Sequence, residues 1–162
     1  MSTLDDLIFS IQEKDWRDFA HQLSQETDRG TALVAAAFLD NLLGRILESF
    51  FGNDREASEN LLNGPRAPLG GFISRIYAAY SLGLIHADEK NDLHIIRRIR
   101  NKFAHRLENT AFTDEDLVSL INNFITLDKV PKNLVDVKQL ELRQAFINVT
   151  AMLSTILDER KN

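Results

Sequence analysis

Apolar residues recur every three or four positions along most of the chain. Leu93, Ile96 and Ile99 show this spacing, and the segments 31–51, 114–127 and 135–161 follow the same pattern. Three-to-four-residue spacing is typical of an amphipathic α-helix, whereas the strict alternation typical of a half-buried strand is almost absent. The pattern therefore predicts an all-α fold.

The helical segments are predicted to form one single-domain helical bundle covering residues 1–162, with about six to seven helices. Residues 31–51 are the most hydrophobic segment and are predicted to form the central buried helix. Gly44 lies within this segment, and because glycine weakens a helix interior, it predicts a close crossing with another helix. The Gly- and Pro-rich segment NGPRAPLGG, residues 63–71, is predicted to be a loop within the domain.

Composition narrows the function classes. The chain has 24 acidic and 19 basic residues and a formal net charge of −5, which argues against direct sequence-specific DNA binding. It has no cysteine, which excludes disulfides and thiolate metal sites and fits a reducing compartment. Acids stand near the N-terminus where a secretory signal carries basic residues, and the longest uninterrupted apolar run is too short for a bilayer. We expect a cytoplasmic protein without membrane association.

No recognised cofactor or metal motif is present. The glycines of residues 63–71 match neither the P-loop nor the dinucleotide-binding pattern. Asp18 and His21 have the i, i+3 spacing of a di-iron ligand pair, but such a site needs a second pair and two more carboxylates. The sequence therefore predicts no cofactor and no metal.

The segment RRIRNKFAHR, residues 97–106, concentrates positive charge in an acidic chain. At about 100° per residue, one side of the predicted helix carries a polar stripe, and Arg100 lies nearer the apolar border. The polar stripe consists of His94, Arg98, Asn101 and His105. We interpret this stripe as the binding surface for a protein partner.

Two other interpretations of this segment stay open. In the catalytic one, His105 acts as base on an RNA 2′-hydroxyl, Arg100 stabilises the transition state, and Asn101 holds a phosphate oxygen. In the structural one, Arg100 pairs with a carboxylate of a neighbouring helix, so Arg100→Ala would lower the melting temperature.

Three stretches in order resemble the mannitol operon repressor family. They are APLGGFISRIYAAYSLGLI at 67–85, HADEKNDLHIIRRIRNKFAH at 86–105 and AFTDEDL at 111–117. The residues that carry the resemblance are Pro68, Leu69, Gly70, Arg75, Tyr80, Gly83, Arg100, His105, Phe112 and Thr113. The resemblance implies a bacterial, all-helical, non-enzymatic regulator associated with repression of mannitol uptake and use. Its partner would be a protein of transcription or sugar-uptake regulation.

A narrower resemblance favours the alternative function. Arg100, Asn101 and His105 are similar to the arginine, polar residue and histidine of HEPN-type helical ribonucleases and toxins. This similarity covers only six residues.

We also expect a homo-oligomer, because Leu4, Leu7 and Ile8, with Phe50 and Phe51, leave apolar surface for a symmetric partner.

Overall fold

The computed structural model describes residues 14–128 and 142–160, and all regular structure in these two ranges is helical. The helices are α1 (Lys14–Gln25), α2 (Asp28–Phe51), α3 (Arg55–Leu62), α4 (Phe72–Ser81), α5 (Ala87–His105), α6 (Glu115–Ile121), α7 (Ile125–Asp128) and α8 (Leu142–Arg160). The predicted all-α bundle is confirmed. The eight helices of the described ranges exceed the six to seven predicted. Leu4, Leu7, Ile8 and the first part of the predicted last helix lie outside the described residues.

Helix α2 is the centre of the bundle, as its hydrophobicity predicted, and it contacts α1, α3, α4, α5 and α8. Its buried side is lined mainly by alanine, leucine and isoleucine, among them Ala35, Leu39 and Leu43. By length and composition alone, α2 is apolar enough to cross a membrane. Its buried apolar residues belong to the hydrophobic cluster that the described helices share, whereas Val34, Phe38 and Phe50 are exposed.

The additional helix arises because a turn divides the segment 114–127 into α6 and α7. Asp92 of α5 is fully buried, and its carboxylate accepts hydrogen bonds from the amides of Ile125 at 2.9 Å and Thr126 at 3.0 Å. The Thr126 hydroxyl donates to the same carboxylate. The first amides of a helix have no acceptor within it, so a carboxylate supplied by α5 fixes where α7 begins.

Arginine side chains hold several helix ends. Arg29 of α2 donates to the carbonyl of Arg106, at the end of α5, over 2.7 Å. Arg143 of α8 donates in the same way to carbonyls at the end of α1. Arg160 forms a bidentate ion pair with Glu89 and also donates to a carbonyl just after α4. Because the last carbonyls of a helix have no internal donor and carry partial negative charge, these cations satisfy them from another helix.

A further cation of this kind is Arg75 of α4, which is buried. It donates to the carbonyl of Leu62 at the end of α3 and to that of Leu69 in the following loop, both over 2.8 Å. It also forms an ion pair with Asp40 of α2 at 3.1 Å. A Cβ on Gly44 would lie 2.9 Å from the guanidinium. The close approach predicted at Gly44 is therefore that of the Arg75 side chain, for which glycine leaves room.

Candidate functional site

The polar stripe predicted on α5 faces outward. Arg98 and His105 are exposed, and His94 and Asn101 are partly buried, while the buried residues of α5 lie on the opposite side. Glu89 in the first turn accepts from the backbone amide of His86 at 2.8 Å, which closes the start of the helix. The stripe geometry is thus as the helical period requires, and its role stays a prediction.

His94 connects the stripe to α4. Its ring lies 5.0 Å from the Tyr77 ring, centroid to centroid, in a tilted arrangement. Burial lowers the pKa of His94 below its usual value, and the positive charges of Arg97 and Lys90 lower it further. Both effects favour the neutral imidazole, which packs against Tyr77 as an aromatic ring.

Beside the stripe, α4 presents an exposed apolar surface, which we call the α4 ridge. It consists of Ile73, Tyr77 and Tyr80, whose exposed fractions are 38%, 52% and 40%. Their spacing of four and three residues places them on one side of the helix. The Lys90 ammonium lies 4.0 Å from the centre of the Tyr80 ring. Ile73 and Tyr77 were not among the residues predicted for the site, although their spacing is visible in the sequence.

A groove of about 520 Å³ lies between α2, α4 and α5. Arg97, Arg100 and Asn101 form its polar side. Asp40 of α2 and apolar side chains of α2 and α4, among them Ala37 and Ile73, form the rest. The groove therefore joins positive charge and apolar surface at one place on the molecule.

The three arginines beside the groove, Arg97, Arg98 and Arg100, are here called the basic strip. None of them forms an ion pair with a residue of the two described ranges. The only hydrogen bond that Arg100 donates within those ranges goes to Asn101 Oδ1, over 3.1 Å. The Arg97 Nε atom is buried without an acceptor in the same ranges. The basic strip thus differs from the arginines that hold helix ends.

The carboxylate that Arg100 was expected to pair with is engaged elsewhere. Asp40 of α2 lines the groove, but it forms its ion pair with Arg75 at 3.1 Å. Burial raises the pKa of the Asp40 carboxyl above its usual value, while Arg75 and Arg100 act in the opposite direction. Within the described ranges the expected ion pair with a carboxylate of a neighbouring helix is formed by Arg75 and not by Arg100, so we expect Arg100→Ala to change the melting temperature little, which unfolding measurements would test.

Of the three residues in the catalytic interpretation, two line the groove and one does not. Arg100 and Asn101 share the groove. His105 is the last residue of α5, is exposed, and does not line the groove. The Oδ1 atom of Asn101 accepts a hydrogen bond from Arg100. The groove that contains Arg100 and Asn101 therefore does not include the His105 imidazole, and the catalytic interpretation stays a prediction.

Several residues that carry the sequence resemblance have structural roles. Besides Arg75, Gly83 has a φ of 73° in the turn after α4, a conformation that favours glycine. The buried Phe112 ring lies 5.0 Å from the rings of Phe103 and Phe146. Leu69 is partly buried against the core, and the exposed positions are Pro68, Gly70, Tyr80, Thr113, Arg100 and His105.

No protein-family model and no curated protein matches the chain. A chain from the X-ray structure of the MtlR–HPr complex from Escherichia coli is similar, with a TM-score of 0.67 and 21% sequence identity. The similarity covers 90% of this chain and 97% of the other. At this level of identity it shows that the protein has an MtlR-like fold.

Proposed function

We propose that the protein is a regulator that acts by binding another protein through the face formed by α4 and α5. This α4–α5 face consists of the α4 ridge, the polar stripe and the basic strip. The observation that carries the proposal is the state of the arginines. Arg97, Arg98 and Arg100 have no ion-pair partner in the described ranges, whereas Arg75 and Arg160 are engaged by carboxylates.

The chemistry of the face suits a protein partner. Tyrosine and arginine are enriched among the residues that dominate interface energies, and α4 and α5 expose both residue types. Tyr77 exposes 52% of its surface and Tyr80 exposes 40%. A tyrosine offers an apolar ring for burial and a hydroxyl for hydrogen bonding, so it tolerates water in the free protein and contributes on binding.

The charge of the face defines the partner further. The chain as a whole has a formal net charge of −5, so the basic strip is a positively charged region on an acidic protein. An acidic surface on the partner would be attracted to this strip and repelled by much of the remaining surface. Such an interaction weakens with increasing ionic strength because exposed charges are screened.

Direct reading of DNA is not part of the proposal. The Ile and Phe side of α5 is buried in the bundle, and Asn101 and the arginines are all that its outer side offers for base recognition. In a gel-shift titration at physiological salt against its own upstream region, the isolated protein should show no nanomolar binding that survives competitor DNA. Binding of that strength would mean that the protein represses transcription by contacting DNA directly, and not through a protein partner.

The fold supports a particular first partner. The similar structure is a complex of MtlR with HPr. The resemblance to mannitol operon repressors also implies a role in regulating sugar uptake. We therefore assign the protein to the regulation of sugar uptake in the bacterial cytoplasm, without enzymatic activity, and choose the HPr of its own organism as the partner to test.

Isothermal titration of the protein with this HPr, at low and at physiological salt, tests the assignment. Tyr77→Ser should weaken binding about tenfold or more, because it removes the most exposed residue of the ridge. Arg98→Gln should weaken binding mainly at low salt. Arg55→Gln is the matched control, since Arg55 is also an exposed arginine but lies on α3. Absence of HPr binding would reject this partner, and equal losses in Tyr77→Ser and Arg55→Gln would reject this surface.

Self-association belongs to the same proposal. Phe50 and Phe51 form an edge-to-face pair at 5.7 Å at the end of α2, and 52% of Phe50 is exposed. An exposed aromatic pair is a surface that a second copy can cover. Light scattering should give a mass above that of one chain, and Phe50→Ser should reduce it. A monomer at high concentration would remove this part of the proposal.

A further inference from the structure

The charges in the groove between α2, α4 and α5 are unbalanced. Arg97 and Arg100 stand three residues apart on one helix, so their Cβ atoms are about 5–6 Å apart and the two positive charges repel. Asp40 is the carboxylate among the residues that line the groove, and it is already paired with Arg75 at 3.1 Å. Counting that pair as neutral, the groove keeps two cations without a counter-ion in the described ranges. An anion bound between them would relieve the repulsion.

The hydrogen-bonding groups indicate the same. Arg100 uses one nitrogen on Asn101 Oδ1, which orients its guanidinium and leaves its other N–H groups available. The buried Nε of Arg97 has no acceptor in the described ranges. Buried hydrogen-bond donors nearly always have an acceptor. If the Arg97 side chain reorients toward a bound anion, its Nε–H group obtains one. Guanidinium groups bind carboxylate and phosphate oxygens in pairs, with charge-assisted hydrogen bonds.

Apart from Asp40 and Asn101, the remainder of the groove is apolar. It is lined by Leu33 and Ala37 of α2 and by Phe72 and Ile73 of α4. The small alanine leaves the space that a larger side chain would fill. The volume of about 520 Å³ lies within the range of small-molecule sites in proteins, roughly 300–1,000 Å³. A ligand with an apolar part therefore gains more here than an inorganic anion.

We propose that this groove binds a small amphipathic organic anion. Its carboxylate or phosphate group is held by Arg97 and Arg100, and its short apolar chain lies against α2 and α4. The groove shares Ile73, Arg97, Arg100 and Asn101 with the proposed protein-binding face, but its ligand is a small anion whose binding is measured without the protein partner.

The test uses hexanoate and hexyl phosphate as probes. Two controls each carry one part of these probes: 1-hexanol has the apolar chain without the charge, and inorganic phosphate has the charge without the chain. Binding to the full chain is measured by isothermal titration and by protein NMR shifts. Both amphipathic anions should bind at least about tenfold more tightly than either control, since charge and apolar contact contribute together. The stronger of the two identifies the charged group as carboxylate or phosphate.

Variants locate the site. Arg100→Gln should weaken binding of the anions about tenfold, and Ala37→Leu should weaken it similarly by filling the groove without changing charge. Arg98→Gln is the control, because it removes the same charge from the same helix outside the groove, and it should bind as the wild type does. The proposal is overturned if neither anion binds, if 1-hexanol or inorganic phosphate binds equally well, or if Arg98→Gln loses as much affinity as Arg100→Gln. Loss of HPr binding in Arg98→Gln would bear on the protein-binding face alone.

Discussion

Replacing Arg75 by methionine should destabilise the fold more than any change in the basic strip. The Arg75 side chain is only 10% exposed, and its guanidinium connects α2, the end of α3 and the following loop. Methionine keeps much of the apolar stem but none of the donors. It leaves the carbonyls of Leu62 and Leu69 without their donor and the Asp40 carboxylate without its cation.

The magnitude follows from these contacts. Removing one partner of a buried ion pair destabilises a protein by about 3–5 kcal/mol. Asp40 is 30% exposed, so water compensates part of the loss, and we expect a value near the lower end, about 3 kcal/mol. Arg75→Lys should lie between the wild type and Arg75→Met, because an ammonium keeps the charge but cannot reach all of these acceptors at once.

Urea unfolding followed by circular dichroism measures the free energy of unfolding. Arg100→Met is the control, since Arg100 is exposed and should change stability by no more than about 0.5 kcal/mol. Asp40→Asn, alone and combined with Arg75→Met, completes a double-mutant cycle in which the two losses should not add. The reasoning is refuted if Arg75→Met costs no more than Arg100→Met.

Three further predictions concern other parts of the molecule. Asp92→Ala should lower the free energy of unfolding by about 3 kcal/mol in urea, because the first amides of α7 lose a charged acceptor; a loss below about 1 kcal/mol would contradict this. The hydrogen bond from Arg106 holds the pKa of Asp116 below its usual value of 3.8, so this carboxylate stabilises the fold above about pH 4 and the contribution disappears as the pH falls further. Wild type and Asp116→Asn should therefore differ in stability at pH 6 and converge in strong acid, as urea titrations at a series of pH values would show. The wild-type protein should leave single-stranded RNA intact, because His105 lies outside the groove that contains Arg100; metal-independent cleavage that is lost in His105→Ala at unchanged melting temperature would contradict this.

The local features of the fold could be predicted from the sequence. The three-to-four-residue period of Leu93, Ile96 and Ile99 defines the buried side of α5, and all three are buried. The opposite side then has to carry His94, Arg98, Asn101 and His105, since about 100° per residue leaves no other arrangement. Helix period is a property of neighbouring residues, which is why the all-α class and the polar stripe could be predicted from the chain alone.

The division of the segment 114–127 into α6 and α7 could not be predicted in this way. The residue that decides it, Asp92, lies more than thirty positions earlier in the chain. Its carboxylate acts as an acceptor for α7 only after α5 and α7 are packed together. Periodicity within the segment contains no information about such an acceptor.

The sequence by itself determined that this is a helical protein with an outward-facing basic strip on one helix. Only the tertiary structure decided which arginines stabilise the fold and which remain available. Arg75 finds Asp40 thirty-five residues away, while Arg100 meets no free carboxylate in the described ranges. The groove likewise exists only where α2, α4 and α5 meet. Ion pairs and grooves depend on distances between separate helices, and those distances are set by how the apolar sides pack against one another.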